Sequence, residues 1–214
     1  VIQGHATTLP VTLDDMLYHT RAVAQGVRRA VLVVDMPYMS YAHCDQAVAT
    51  AARLMQAGAQ MVKLEGGRTR LQVVRALVDQ QIPVCGHLGL LPQAVHQMGG
   101  FIAQGRDSDS ARCILEDALL LQEAGIRLLI LEGMPAELAA QITDSLSIPT
   151  LGIGAGPACS GQILVLYDLL GITPGKRPRF VRDFMAGAED IRTAVTHYIH
   201  AVRLGDFPQA EHCF

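Results

Sequence analysis

Five short apolar runs, each closed by a polar or glycine-rich tip and separated from the next by a stretch of helical periodicity, constrain this chain more than any other feature. They are VLVVD ending at Asp35, MVKLE ending at Glu65, PVCGH ending at His87, RLLILE ending at Glu132 and PTLGIGAG ending at Gly156. Alternating strands and helices build a parallel sheet, because right-handed crossovers return every strand in the same direction. All five tips then share one face, at the C-terminal ends of the strands, where α/β enzymes assemble their sites. Two acids, a histidine, a third acid and a glycine loop on one rim predict an enzyme.

The intervening stretches read as helices. Thr12 caps one over 13–26, with Asp14 and Asp15 in the first turn, where the helix dipole favours them. Others are expected over 45–57, 69–79, 110–124, after Pro135, over 162–170 and over 189–204, with a helical turn after Pro92. The run RFVRDF (179–184) is a candidate sixth strand. No linker or low-complexity segment interrupts 1–214, which predicts a single domain. A closed (β/α)8 barrel needs eight strands, so the pattern fits either an open doubly wound sheet or a barrel lacking its first strands. The chain begins at Val1 without methionine, which suggests a fragment.

Composition narrows the function classes. Half of the 214 residues are hydrophobic and 17% are charged, as expected for strands buried on both faces and for a subunit hiding surface in an oligomer. A net charge of −3 without a long basic run argues against nucleic acid as a partner. No apolar stretch approaches the ~20 residues of a membrane span. Cysteines 44, 85, 113, 159 and 213 are scattered and never form a C-x-x-C pair, so a reduced cytoplasmic protein is expected, with neither a zinc site nor a disulfide framework.

Strand side chains alternate, so Lys63 shares an inward face with Met61 and Glu65 while Val62 and Leu64 face the helices. Opposite charges there make either a buried structural ion pair or a polar pocket in which Lys63 meets an anionic substrate and Glu65 helps to hold a cation. Asp35 is either a turn former before Met36-Pro37 or, with Glu65, half of a divalent-metal site suited to Mg²⁺. Glu132 closes a very apolar strand, where desolvation favours a general base; the alternative is a cap for the next helix. His87, between Gly86 and Gly89, is either structural or a donor to a substrate oxygen. GIGAG serves either close backbone approach to a ligand or tight strand–helix packing, and is not a full dinucleotide fingerprint. Together these residues suit metal-assisted chemistry on an anionic carbonyl compound, with a carboxylate removing an acidic C–H proton.

At the same residues the sequence resembles the ketopantoate hydroxymethyltransferase family, through QGHATTLPVT, VVDMPYMSY, AGAQMVKLEGG, IPVCGHLGLLPQ, QGR, LEGMPAELA, IPTLGIGAG, SGQILVLYD and FVRDF, in that order from Val1 to near the C-terminus. The resemblance implies a (β/α)8 TIM-type barrel in a cytoplasmic homo-oligomer, often a decamer, of the pantothenate pathway. It implies Mg²⁺, and 5,10-methylenetetrahydrofolate as the donor of a hydroxymethyl group to 3-methyl-2-oxobutanoate, giving 2-dehydropantoate through an Mg-stabilised enolate. Carried over motif by motif, Asp35 binds metal and substrate, Lys63 binds the keto acid, and Glu65 belongs to the metal sphere. His87 hydrogen-bonds the substrate, and Glu132 deprotonates C3.

Two departures stand beside the match. Family members carry about 50 more residues ahead of the QGH segment, the first strand, first helix and second strand that a closed eight-stranded barrel requires. An Asp-Ser pair at the end of that second strand supplies a further metal ligand and a substrate contact, and Ala6 stands where many members have an acid. The expectation is an incomplete barrel, truncated at its N-terminus, with weakened Mg²⁺ binding and two unpaired sheet edges. The alternatives are a non-catalytic remnant that serves as an assembly partner, and a metal–enolate lyase of the isocitrate lyase or phosphoenolpyruvate mutase type.

Overall fold

The computed structural model describes residues 2–214 and is built on the alternation seen in the sequence; Val1 lies outside the described residues. Helix α1 (Leu13–Gly26) starts at a capping box: the Asp15 backbone N–H donates to Thr12 Oγ1 at 3.2 Å, and the Asp15 carboxylate accepts the Thr12 N–H at 2.9 Å. Then follow β1 (Val33–Asp35), α2 (Cys44–Gln56), β2 (Met61–Lys63), α3 (Leu71–Asp79), β3 (Val84–Gly89), α4 (Ser108–Glu123), β4 (Leu128–Glu132), α5 (Ala136–Ser145) and β5 (Thr150–Ile153). A two-residue β6 (Gly161–Gln162), the short α6 (Leu166–Leu169) and α7 (Ile191–Leu204) complete the elements.

All neighbouring strands pair in parallel, in the sheet order β1-β2-β3-β4-β5-β6. The sequential order keeps every tip on one rim. The ladder also runs past the strand ends: the Met36 N–H reaches Lys63 O at 2.8 Å, Gly66 N–H reaches His87 O at 3.1 Å, and Leu90 N–H reaches Glu132 O at 2.8 Å. Residues just beyond the regular strands are therefore as firmly placed as those within them. Glu65, two positions past the end of β2, is one of these.

Alternation divides the buried residues into two layers. Val34, Val62, Leu64, Val84, Leu129 and Leu131 pack against the helices in the main core. Cys85, Ile130 and Ile153, with Val33, Met61 and Leu128 against them, form a smaller cluster on the opposite face of the sheet. Lys63, Glu65, His87 and Glu132 have the parity of this second layer. A third cluster joins Leu169, Leu170 and Phe184 to Ala194 and Ala201 of α7.

The structure corrects the reading of the C-terminal third. RFVRDF is not a strand; its Phe180 stacks edge-on with Phe214 and its Phe184 with Tyr198 and Phe207. The sixth strand is Gly161–Gln162, which takes the first residue of the helix expected over 162–170, and only 166–169 of that segment are helical. Long-range bonds outweigh the local helical pattern here. The Ile163 N–H donates to Gly152 O at 3.0 Å, and the Tyr198 hydroxyl donates to Gln162 O at 2.8 Å.

Candidate active site

Asp35, Lys63, Glu65, His87 and Glu132 all line one cavity of about 320 Å³ at the strand tips. They arrive from four neighbouring strands. Loop residues Thr8, Pro37, Pro92 and Gln93 and the apolar Ile153, Ile163 and Val165 complete the wall.

On one side of the cavity the Lys63 ammonium sits 2.5 Å from Asp35 Oδ1. The lysine side chain is 12% exposed and the aspartate 50%, so the cation is the buried partner. Burial pulls the Lys63 pKa down, but Asp35 pushes back harder, by charge and hydrogen bond, and with help from Glu65 raises it to about 12. The site therefore presents a permanent cation. Beneath it, burial pushes the Cys85 thiol up to about 12, which makes it inert as a nucleophile.

On the other side lies His87, 1% exposed. Its Nε2 is 3.2 Å from Glu132 Oε2 and its Nδ1 is 3.8 Å from Glu65 Oε1, yet among the described residues neither ring nitrogen finds a hydrogen-bond partner. The 3.2 Å contact lacks hydrogen-bond alignment. A buried imidazole with both nitrogens unsatisfied is costly as a purely structural group, and it leaves an unused donor and acceptor in the cavity wall.

Glu65 is held from outside the set that the sequence singled out. The Gln93 backbone N–H donates to Glu65 Oε2 at 2.9 Å. The Gln93 side chain is itself anchored: its Nε2 donates to Met36 O at 2.9 Å, and its Oε1 accepts the Tyr41 hydroxyl at 2.5 Å. Burial raises the Glu65 pKa, while His87, Lys63 and the Gln93 N–H oppose that rise. Burial and the Glu65 charge drive the Tyr41 hydroxyl up to about 12, which keeps it protonated as a donor. Gln93 and Tyr41 escaped sequence reasoning because one lies in the expected helical turn after Pro92 and the other in a loop, and neither is at a strand tip. The only available signals were the position of Gln93 after Pro92 and that of Tyr41 in the loop after Asp35.

Gly89, at φ +93°, ends β3 against Glu132 O, leaving no room for a side chain between the two strand tips. GIGAG packs tightly against the start of the next helix. A Cβ on Gly156, at φ +75°, would meet the Ala136 Cβ at 2.5 Å at the start of α5.

Among the described residues, no three His, Cys, Asp or Glu side chains converge as a metal site. Two carboxylates, Asp35 and Glu65, do line the same cavity. Hard oxygen donors in that number suit Mg²⁺, which keeps water or substrate oxygens in its remaining positions.

Comparison with known proteins agrees with this geometry. A profile of ketopantoate hydroxymethyltransferase matches residues 1–210. The chain belongs to the ketopantoate hydroxymethyltransferase family. It is 55% identical, over its whole length and 80% of the relative's, to the 3-methyl-2-oxobutanoate hydroxymethyltransferase of Nitrosomonas eutropha. It is 53% identical to the enzyme of that name from Ralstonia nicotianae, over its whole length and 78% of the relative's. Membership in this family makes it an enzyme of the hydroxymethyltransferase class. Among solved structures, a phosphoenolpyruvate phosphomutase from Streptomyces platensis superposes with a TM-score of 0.55 over 92% of this chain and 69% of that one, at 13% identity. A 2,3-dimethylmalate lyase of the phosphoenolpyruvate mutase/isocitrate lyase superfamily gives 0.52 over 71% of this chain and 54% of that one, at 18% identity. These two likenesses show a shared fold and carry nothing about the reaction. Among the described residues, no helix is long and apolar enough to cross a membrane.

Proposed function

We propose that this chain moves a hydroxymethyl group from 5,10-methylenetetrahydrofolate to 3-methyl-2-oxobutanoate, giving 2-dehydropantoate. The observation that carries the reading is the single cavity in which a permanent cation, two hard carboxylates, an unsatisfied histidine and a carboxylate on an apolar strand face one another.

Each residue has a part that follows from its place. Lys63, kept charged by Asp35, attracts the substrate carboxylate. His87, with no protein partner, donates to a substrate oxygen and fixes the orientation of the keto acid. Glu132, at the end of β4 beside His87, takes the proton from C3. The electron pair moves into the C2–C3 bond and onto the carbonyl oxygen. C3 of the enolate then attacks the one-carbon unit: a C3–C bond forms, both carbon–nitrogen bonds to the carrier break, and one water supplies the hydroxyl group; the two carrier nitrogens take up the proton from that water and the one that Glu132 removed from C3. Asp35 and Glu65 would hold Mg²⁺, with Gln93 keeping Glu65 in place. When bound, that cation supplies Lewis-acid polarisation of the keto-acid oxygens.

We further propose that the six-stranded sheet is the larger part of a (β/α)8 barrel. The ladders at β1 and β6 are open, and the two relatives compared above extend beyond the matched region.

The test is proton NMR of 3-methyl-2-oxobutanoate in D₂O with the protein and Mg²⁺, following loss of the C3 proton without any folate. Exchange is expected, and Glu132→Gln is expected to slow it about 10²–10⁴-fold. Exchange that survives that substitution would remove Glu132 from the role of base. No exchange from the folded protein would overturn the reading for this chain.

A further inference from the structure

Two sequence motifs, RFVRDF and the GIGAG at the tip of β5, supply no reacting group, yet the structure brings them together. Phe180 of the first packs against the inner cluster of Cys85, Ile130 and Ile153. Its ring stacks edge-on with Phe214, the centroids 6.3 Å apart. Both rings press on Gly154: a Cβ there would meet Phe180 Cδ1 at 2.7 Å and Phe214 Cε2 at 3.0 Å, and its φ of +58° is one that side chains disfavour. The segment before Phe214 ties it down beside Phe180. The Arg179 Nε–H donates to Glu211 O at 3.0 Å, and the Gln209 N–H donates to His212 Nδ1 at 3.1 Å. His212 is buried, with its ring edge-on to buried Phe207 at 5.1 Å.

Gly154 matters for what its backbone holds. Its carbonyl accepts the Met134 N–H at 3.1 Å, and Ile153 O accepts the Gly133 N–H at 2.9 Å. Gly133 follows Glu132 directly, so these two bonds fix the turn by which the chain leaves the carboxylate. The other side of that turn is held by the end of β3. There the Leu90 N–H donates to Glu132 O at 2.8 Å, and a Cβ on Gly133, at φ +54°, would meet the Leu90 Cβ at 3.1 Å. The β5 side has less stiffness of its own, because Gly152, Gly154 and Gly156 alternate through it. What backs it at Gly154 is the pair of aromatic rings.

Resting on the reading of Glu132 as the base, we infer that Phe180 and Phe214 are positioning residues. They form an aromatic clamp that holds the β5 tip and, through the carbonyls of Ile153 and Gly154, keeps the turn after Glu132 where the carboxylate reaches C3 of the keto acid. Neither ring lines the reaction cavity, so the clamp acts on turnover and leaves the binding of the keto acid alone. A catalytic group misplaced by about 1 Å costs about 10²-fold in rate, and a ring lost from behind a glycine tip permits a shift of that order.

The experiment follows C3-proton exchange of 3-methyl-2-oxobutanoate in D₂O by the whole chain with Mg²⁺ over a range of substrate concentrations. Beside it, amide hydrogen exchange is resolved to single residues by mass spectrometry. Phe180→Ala is expected to lower kcat about 10–100-fold with KM within about threefold of wild type. The Gly133 and Met134 amides should exchange about tenfold faster, while the Leu64 amide, bonded to Cys85 O, keeps its rate. Phe180→Leu, which keeps most of the bulk, should restore most of kcat, and Phe214→Ala should act in the same direction as Phe180→Ala but less. Unchanged kcat in Phe180→Ala overturns the inference, as does a rise in KM alone, which would make the ring a wall of the substrate pocket. So does a Leu64 amide that speeds up as much as Gly133 and Met134, which would make it a general packing residue. If Phe180→Ala does not fold, Phe214→Ala decides by the same readings. Exchange by wild type with full kcat in the variant overturns the clamp alone; no C3-proton exchange from folded wild type overturns the transferase reading and the clamp with it.

Discussion

The Lys63–Asp35 pair makes an asymmetric prediction, because its two partners are unequally buried. The lysine side chain is 12% exposed and the aspartate 50%. Asp35→Asn leaves an ammonium in a desolvated place with only Glu65 to oppose burial, whereas Lys63→Met removes the buried charge and leaves Asp35 to water. Asp35, with a smaller contribution from Glu65, raises the lysine from 10.5 to about 12 against the pull of burial, and a rise of that size is worth about 2 kcal/mol of native stability. Breaking a buried pair by removing one partner costs about 3–5 kcal/mol at the extreme. Asp35→Asn is therefore expected to cost about 2–4 kcal/mol, or about 4–16 °C in Tm for a chain of this size. Lys63→Met should cost about 1 kcal/mol or less, since a methionine fits the apolar wall and the exposed carboxylate hydrates. The sign with pH follows from a raised folded-state pKa: the stabilisation is complete below pH 10.5 and disappears as pH climbs through about 12. Urea unfolding of both variants in EDTA, at pH 8 and between pH 10.5 and 12, measures this. Lys63→Met as destabilising as Asp35→Asn at pH 8 would refute the burial argument. So would a gap between wild type and Asp35→Asn that does not narrow in alkali.

Other outcomes follow from the same geometry. Gln93→Leu removes the bonds to Met36 O and Tyr41 that hold the Gln93 N–H against Glu65, so Mn²⁺ affinity read by EPR should fall about tenfold with little change in Tm, and Tyr41→Phe should do less. Gly156→Ala, pressed against Ala136 at φ +75°, should cost about 1–3 kcal/mol in thermal unfolding; a loss of keto-acid affinity at unchanged Tm would restore a ligand role for the loop. Iodoacetamide mapped by mass spectrometry should label exposed Cys113 quickly and buried Cys85 only on unfolding; rapid labelling of Cys85 in the native protein would contradict its raised pKa.

Much of this was determined by sequence alone. The order of the first five strands and the helices between them, the helix cap at Thr12 and the inward parity of Lys63, Glu65 and Glu132 follow from periodicity and local hydrogen bonding, whose causes lie within a few residues of each position. The ordered run of family motifs is equally a property of the sequence. Tertiary structure decided what depends on distance across the fold. It paired Lys63 with Asp35, left both nitrogens of His87 without a hydrogen bond beside Glu132 and Glu65, and brought Gln93 and Tyr41 from separate loops to hold Glu65. It also made a strand of Gly161–Gln162 where the local pattern favours a helix, because partners on β5 and α7 supply bonds that no local window contains. Which groups face one another, and which are left unsatisfied, depends on packing between residues tens of positions apart, and local sequence preference carries no term for it.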